Sequence, residues 1–254
     1  MKSSPHGFSL VELLVVIFII SLLSAISMSA MTRSLRAGDR VVCLSNQRQL
    51  YYGWMMYASG HDGKLVSSDT QFNTGTEHNN WVCDGPVPVI LPKPDRNEIA
   101  QTEKSLKGGN GLVIYLGVQV DANTNCGTLW PYIRDVRLFK CPSARYFRGY
   151  SISAAMHGDS TSYSKFEQIK SPESKAVLID GAPQRAWLDG PFTTAYLQLS
   201  GRHEKGCNAI FADGHAQYRK WSDPRTMEFI NGSGRTSNDN PDFKWLNEAF
   251  TKNK

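Results

Sequence analysis

The chain has 254 residues, a formal net charge of +5, 41% apolar residues and 11% aromatics. It is too apolar for a disordered polymer, and its mild charge, with no dense Lys/Arg stripe, does not point to nucleic acid. With a membrane-length segment set aside, roughly 220 residues remain, enough for one domain with its own core.

The chain opens on a short polar leader, Met1-Lys-Ser-Ser-Pro-His-Gly7, and an apolar run follows from Phe8 to Met31. Between Leu10 and Leu23 only Glu12 and Ser21 are polar. As a helix, the run from Phe8 spans about 35 Å at ~1.5 Å per residue, enough for a hydrocarbon layer of about 30 Å. A secretory signal peptide would have a shorter core and a small-residue cleavage site, of which Ser27-Met28-Ser29 is a weak version. A plain anchor accounts for the length but not for Glu12. An ionisable group in such a span costs a few kcal/mol and by default marks function. One helix supplies no cation at that depth, whereas the amino terminus of a second, staggered copy does. Glu12 is therefore expected to set the register of assembly, as a single polar core residue does in a coiled coil.

The stretch Gly7-Phe8-Ser9-Leu10-Val11-Glu12-Leu13-Leu14-Val15 resembles the cleavage and methylation signature of type IV prepilins and type II secretion pseudopilins. The resemblance implies a leader of residues 1–7, a cut between Gly7 and Phe8 by a prepilin peptidase, and N-methylation of Phe8. It makes Glu12 the fifth residue of the mature chain. It further implies a structural subunit of a type II secretion pseudopilus or type IV pilus-like filament, not an enzyme. The expected partners are the peptidase, other pilin or pseudopilin subunits and the inner-membrane assembly machinery. The expected location is the inner membrane, crossed once by residues 8–31, with residues 32–254 exported as a globular domain. Arg33, Arg36 and Arg40 follow the span, against Lys2 before it. The positive-inside rule alone would place those arginines in the cytoplasm, whereas the resemblance places the leader there. Many members of the family carry a proline about twenty residues into the mature helix; here Ser27, Met28 and Ser29 occupy that region.

Beyond the span, Val41, Val42, Leu44, Leu50, Trp54, Met55 and Tyr57 recur at helical spacing, and Gly60-His61-Asp62-Gly63 stops the pattern. One long helix is expected from about Phe8 to about Ser59, weakened locally at Gly38 and Gly53. Residues 64–111, rich in Pro and Gly, read as a variable loop. Leu112 to Gly117 reads as a short helix or strand. Trp130 to Cys141 reads as a turn, a helical stub and a strand. Tyr150 to Met156 and Ala176 to Ile179 read as strands. Cys207 to Arg219 reads as a hairpin around Asp213-Gly214, with a type I′ turn expected. Residues 222–254 read as polar and turn-rich, with Trp245, Leu246 and Phe250 tucking the tail back. A long helix followed by an antiparallel sheet is an α+β arrangement, in agreement with the pilin-like roll that the resemblance implies.

The five cysteines are Cys43, Cys83, Cys126, Cys141 and Cys207. No pair shows the repeated Cys-x-x-Cys spacing of a zinc site. Export permits disulfides, with Cys126–Cys141 the favoured pair; buried free thiols are the alternative. His203, Asp213 and Gly214 form an H-x9-D-G element, which together with Cys43, Asn46 and Cys141-Pro142-Ser143 resembles a large group of pilin-like proteins with the same N-terminus. The element implies no role. His203, Asp213 and His215 would make a metal set if they converged at one end of the hairpin, but Asp213 already has a sufficient role as a turn residue. Some major pseudopilins hold calcium. Asp180, Asp189, Asp213 and Asp223 offer carboxylates, but the chain has no Asp-x-Asp-x-Asp-Gly loop, and no metal or other cofactor is expected. No nucleophile, zincin or phosphate-loop motif appears. The alternative to a filament subunit is a membrane-anchored module whose six Trp and ten Tyr bind extracellular glycan or DNA.

Overall fold

The computed structural model describes residues 9–68, 129–144, 149–156, 162–181, 199–235 and 237–252. The chain divides into two compact units, Met1–Gly38 and Asp39–Lys254. The leader, the cleavage position at Gly7 and Phe8, most of the variable loop, Leu112 to Gly117, Cys83, Cys126 and Asp189 lie outside the described residues.

Helix α1 runs Leu10–Gly60, 51 residues, close to the expected limits and about 76 Å long by helical rise. In the first unit its apolar side chains, among them Leu10, Ile17, Phe18, Ile20 and Met31, are exposed. From Asp39 onward one stripe is buried: Cys43, Gln47, Leu50, Tyr51, Trp54, Tyr57 and Ala58. These positions recur every three or four residues, which puts them on one helix face. The helix stops where Asp62 and Gly63 turn left-handed and Gly63 N–H donates back to the Ala58 carbonyl at 2.9 Å.

Four strands form an antiparallel meander: β1 Tyr150–Ile152, β2 Ala176–Asp180, β3 Gly206–Phe211 and β4 Ala216–Lys220. The register pairs Tyr150 with Asp180, Ile179 with Ala209, and Cys207 with Arg219. Strands β2 and β3 are buried along their whole length, because both sheet faces are covered. Leu178 and Ile210 join Leu50, Trp54 and Tyr150 in the core on the α1 side. Their neighbours Ile179, Ala209 and Phe211 point the other way, into a second core with Trp221, Phe229, Phe243, Leu246 and Phe250.

That second core corrects the reading of residues 222–254 as turns. Two helices lie there, α3 at Pro224–Ile230 and α4 at Pro241–Phe250. Each begins with a side-chain cap followed by proline. Asp223 accepts from Arg225 N–H, and Asn240 accepts from Asp242 N–H and Phe243 N–H. Asp223-Pro224 and Asn240-Pro241 are legible helix starts that the density of polar residues obscured.

Two smaller corrections concern local geometry. The approach to Cys141 is a helical turn, α2 at Trp130–Ile133, then a 3₁₀ turn at Val136–Phe139 capped by Asp135, with no strand. The hairpin turn is not type I′, since only Gly214 has positive φ, at 88°. Asp213 keeps an ordinary φ, Gly214 N–H donates to the Phe211 carbonyl at 2.9 Å, and Phe211 N–H donates to the His215 carbonyl at 3.0 Å. The result is a three-residue loop closed by a left-handed glycine, the next commonest hairpin solution.

Candidate functional site

Two regions carry chemistry that packing alone does not explain, one in each unit. The first is the start of α1. Ser9 N–H donates to Glu12 Oε2 at 2.8 Å, and Glu12 N–H donates to Ser9 Oγ at 3.2 Å. This is a reciprocal capping box, legible as Ser-x-x-Glu ahead of an apolar run and missed because Glu12 was read only as a buried charge. Glu12 thus has hydrogen-bond partners in its own chain, and among the described residues no cation pairs with it. Downstream, Ser21 Oγ donates to the Phe18 carbonyl and Ser24 Oγ to the Ile20 carbonyl, so these hydroxyls present no free donor to an apolar surrounding.

The arginines after the span divide between the units. Arg33 and Arg36 belong to the first. Arg40 belongs to the second, where its guanidinium stacks 4.6 Å from the Tyr218 ring and pairs with Glu204 at 3.3 Å. Its presence has a packing reason, independent of membrane orientation.

The second region lies within Asp39–Lys254. Cys43 from α1, Cys141 after the 3₁₀ turn, Asp180 at the end of β2 and His203 just before β3 place their ligand atoms within 4.8 Å of one another, all four residues buried. His203 Nε2 lies 3.3 Å from Cys141 Sγ and 3.3 Å from Asp180 Oδ2. Arg202 caps the other carboxylate oxygen of Asp180 and also donates to the Gly149 and Gly181 carbonyls at 3.1 and 2.7 Å. Among the described residues Asp180 Oδ2 accepts no hydrogen bond. Gln47 Nε2 lies 3.7 Å from Cys43 Sγ. Gly149 lets its loop lie directly on Cys141; a Cβ there would come 2.5 Å from the Cys141 nitrogen.

The electrostatics are strongly coupled. Burial raises the Asp180 carboxyl to about 6, although Arg202 pulls it back. The Cys141 thiol is lowered, first by its hydrogen bond with Cys43 and then by His203 and Arg202. Burial and the same hydrogen bond raise Cys43. For His203, burial lowers the imidazole, but Cys141 and Asp180 outweigh it and the net shift is upward.

His203 is therefore not brought to Asp213. The nine intervening residues contain β3, whose six residues extend roughly 20 Å at ~3.3 Å each. His203 sits at one end and the Asp213-Gly214 turn at the other. Asp213 accepts from His215 N–H at 3.0 Å and pairs with its ring Nδ1 at 2.6 Å. Gly214 packs against Tyr51 of α1, where a Cβ would come 3.0 Å from the ring. The carboxylates weighed for calcium also separate: Asp180 is buried beside Arg202, Asp213 bonds His215, and Asp223 caps α3 and binds Arg225. Cys207 is buried in the second core and takes no part in the cluster.

Residues 2–28 match the prokaryotic N-terminal methylation motif. The match supports a type IV pilin-like protein, a prepilin-like subunit processed by a prepilin peptidase and assembled with other pilin subunits. Among the described residues one helix, at the N-terminus, is long and apolar enough to cross a membrane, which suggests a single-pass anchor. No curated protein and no solved structure matches the chain.

Proposed function

We propose that the protein is a structural subunit of a type II secretion pseudopilus or type IV pilus-like filament. It is cut between Gly7 and Phe8, methylated at Phe8, and held in the inner membrane by residues 8–31 with the domain from residue 32 exported. The observation that carries this reading is the methylation motif at residues 2–28, continuous with a helix whose apolar side chains are exposed from Leu10 to Met31. Such a surface is stable only against lipid or against copies of itself, since each apolar side chain it buries contributes about 1.5–3 kcal/mol. Packing against copies in a filament removes it from both water and lipid.

Glu12 supplies the register. Its carboxylate meets the Phe8 ammonium of a neighbouring copy, and the pair neutralises two charges that are costly in a low-dielectric filament core. The capping box supplies a sharp test. Glu12→Gln keeps a side chain that can cap the helix but removes the charge. The expected result is normal insertion and cleavage, with N-terminal mass spectrometry showing methyl-phenylalanine at position 8 and filament recovery strongly reduced. Wild-type filament yield from Glu12→Gln would reduce Glu12 to a helix cap. A mature chain that retains residues 1–7 would remove the proposal altogether.

A further inference from the structure

We propose that Cys43, Cys141, Asp180 and His203 form a closed, tetrahedral structural site for a divalent transition ion of the Zn²⁺ class.

The geometry is the first argument. Around a tetrahedral zinc, bond lengths of about 2.3 Å to sulfur and about 2.0–2.1 Å to nitrogen and oxygen put neighbouring ligand atoms roughly 3.3–3.8 Å apart. Here the imidazole nitrogen lies 3.3 Å from both the Cys141 sulfur and the Asp180 oxygen, and no pair among the four ligand atoms exceeds 4.8 Å. The four atoms come together from four separate segments of the chain.

Unsatisfied chemistry is the second argument. Asp180 is fully buried, and among the described residues its Oδ2 accepts no hydrogen bond, with only the His203 imidazole near it at 3.3 Å. A buried carboxylate oxygen without a hydrogen bond is costly. His203 Nε2 carries at most one hydrogen, so it cannot donate to Cys141 and Asp180 together. A disulfide between Cys43 and Cys141 would consume both thiols and leave the histidine and the carboxylate with no shared task. A cation at the centre uses all four groups.

The surroundings are the third argument. Ligands of structural zinc are oriented by outer hydrogen bonds. Arg202 holds the second oxygen of Asp180, and the Gln47 amide faces the Cys43 sulfur. The charges close as well. On binding, each sulfur donates a lone pair to the ion as a thiolate and the imidazole donates as its neutral form, and whatever protons these groups carried pass to water. Two thiolates, one carboxylate, neutral imidazole and a 2+ ion sum to −1, which the buried Arg202 offsets. No electron is transferred and no oxidant is needed. With four protein ligands, none of them exposed, the site has no open position for substrate, which marks it as structural. Immediately after His203 the chain takes two successive left-handed residues, Glu204 at φ 52° and Lys205 at φ 61°. Such backbone is strained and persists where its surroundings enforce it. An ion holding His203 in place supplies that enforcement.

The test uses the full-length chain, extracted from membranes in detergent, reduced and freed of metal under argon. Titration with Co²⁺ should give one equivalent per chain, with visible bands of a tetrahedral ion and sulfur-to-cobalt charge transfer in the near ultraviolet. Zn²⁺ should bleach both. His203→Gln and Asp180→Asn should each weaken Co²⁺ uptake by at least about tenfold. A second measurement needs no variant: Zn²⁺ should protect Cys43 and Cys141 of the native sequence from alkylation during partial unfolding. The proposal is overturned if the reduced chain binds neither ion. It is equally overturned if the bands persist unchanged in both variants, or if the protein as isolated carries a Cys43–Cys141 cross-link and after reduction takes up no Co²⁺.

Discussion

Asp242 shows how much of the second core rests on one side chain. It is fully buried at the start of α4. Its two oxygens accept from Ser222 N–H and Oγ, Asp223 N–H and Thr226 Oγ1, all at 2.8–3.2 Å, and Arg219 lies 3.7 Å away. Burial alone would raise this carboxyl. The donors from Asp223, Thr226 and Ser222 outweigh it, and the net shift is downward. A depressed folded value means the charged form stabilises the fold above the unfolded value of about 3.9, and that this stability is lost as pH falls through the folded value. Asp242→Asn turns an amide N–H toward those donors and should destabilise by about 2–3 kcal/mol at pH 7. Urea unfolding of a fragment beginning at Asp39, at pH 7 and again below pH 4, checks both parts. The gap between wild type and variant should narrow in acid, and a constant gap would show that the carboxylate charge is not what holds these bonds.

Among the elements, α1 uses two of its three glycines, Gly38 and Gly53, in opposite ways. Nothing lies within 4 Å of a Cβ built on Gly38, whereas a Cβ on Gly53 would come 2.4 Å from Ile133 Cγ1 in α2. Alanine in a helix interior gains about 1 kcal/mol over glycine, but overpacking costs about 1–3 kcal/mol. Gly38→Ala should therefore be stabilising by up to about 1 kcal/mol, and Gly53→Ala net destabilising by about the same amount. Paired thermal melts decide it, and equal shifts of one sign would contradict the α1–α2 contact. The long helix was legible because its apolar run and its second-half stripe follow helical spacing, and β2 and β3 because Ala176 to Ile179 and Cys207 to Ala212 are short apolar runs. The helices α3 and α4 were hidden because Asp, Asn and Ser cluster at their caps. The metal-ligand set was illegible for a different reason. Its four residues come from four separate segments, with no Cys-x-x-Cys spacing to announce them, and only the packing of α1 and the 3₁₀ turn against the meander brings them together.

At the level of the whole molecule, the division after Gly38 separates two stability regimes. Residues from Asp39 onward bury two cores, one on each face of the sheet. Residues 9–38 depend on what surrounds them. A fragment beginning at Asp39 should therefore be soluble without detergent, unfold in one cooperative transition and run as a monomer in light scattering. Aggregation of that fragment would mean that the domain needs the preceding turns of α1 for its own fold.

The sheet's margins carry a further consequence. Among the described residues, β1 is only three residues long, and β4, at the opposite edge, ends in Arg219 and Lys220. Short edges and edge cations both discourage strand addition. Subunits crowded side by side sit at local concentrations where an open edge would zip neighbours into amyloid-like ribbons. In the filament proposed above, such margins leave neighbouring sheets no ready edge to pair through.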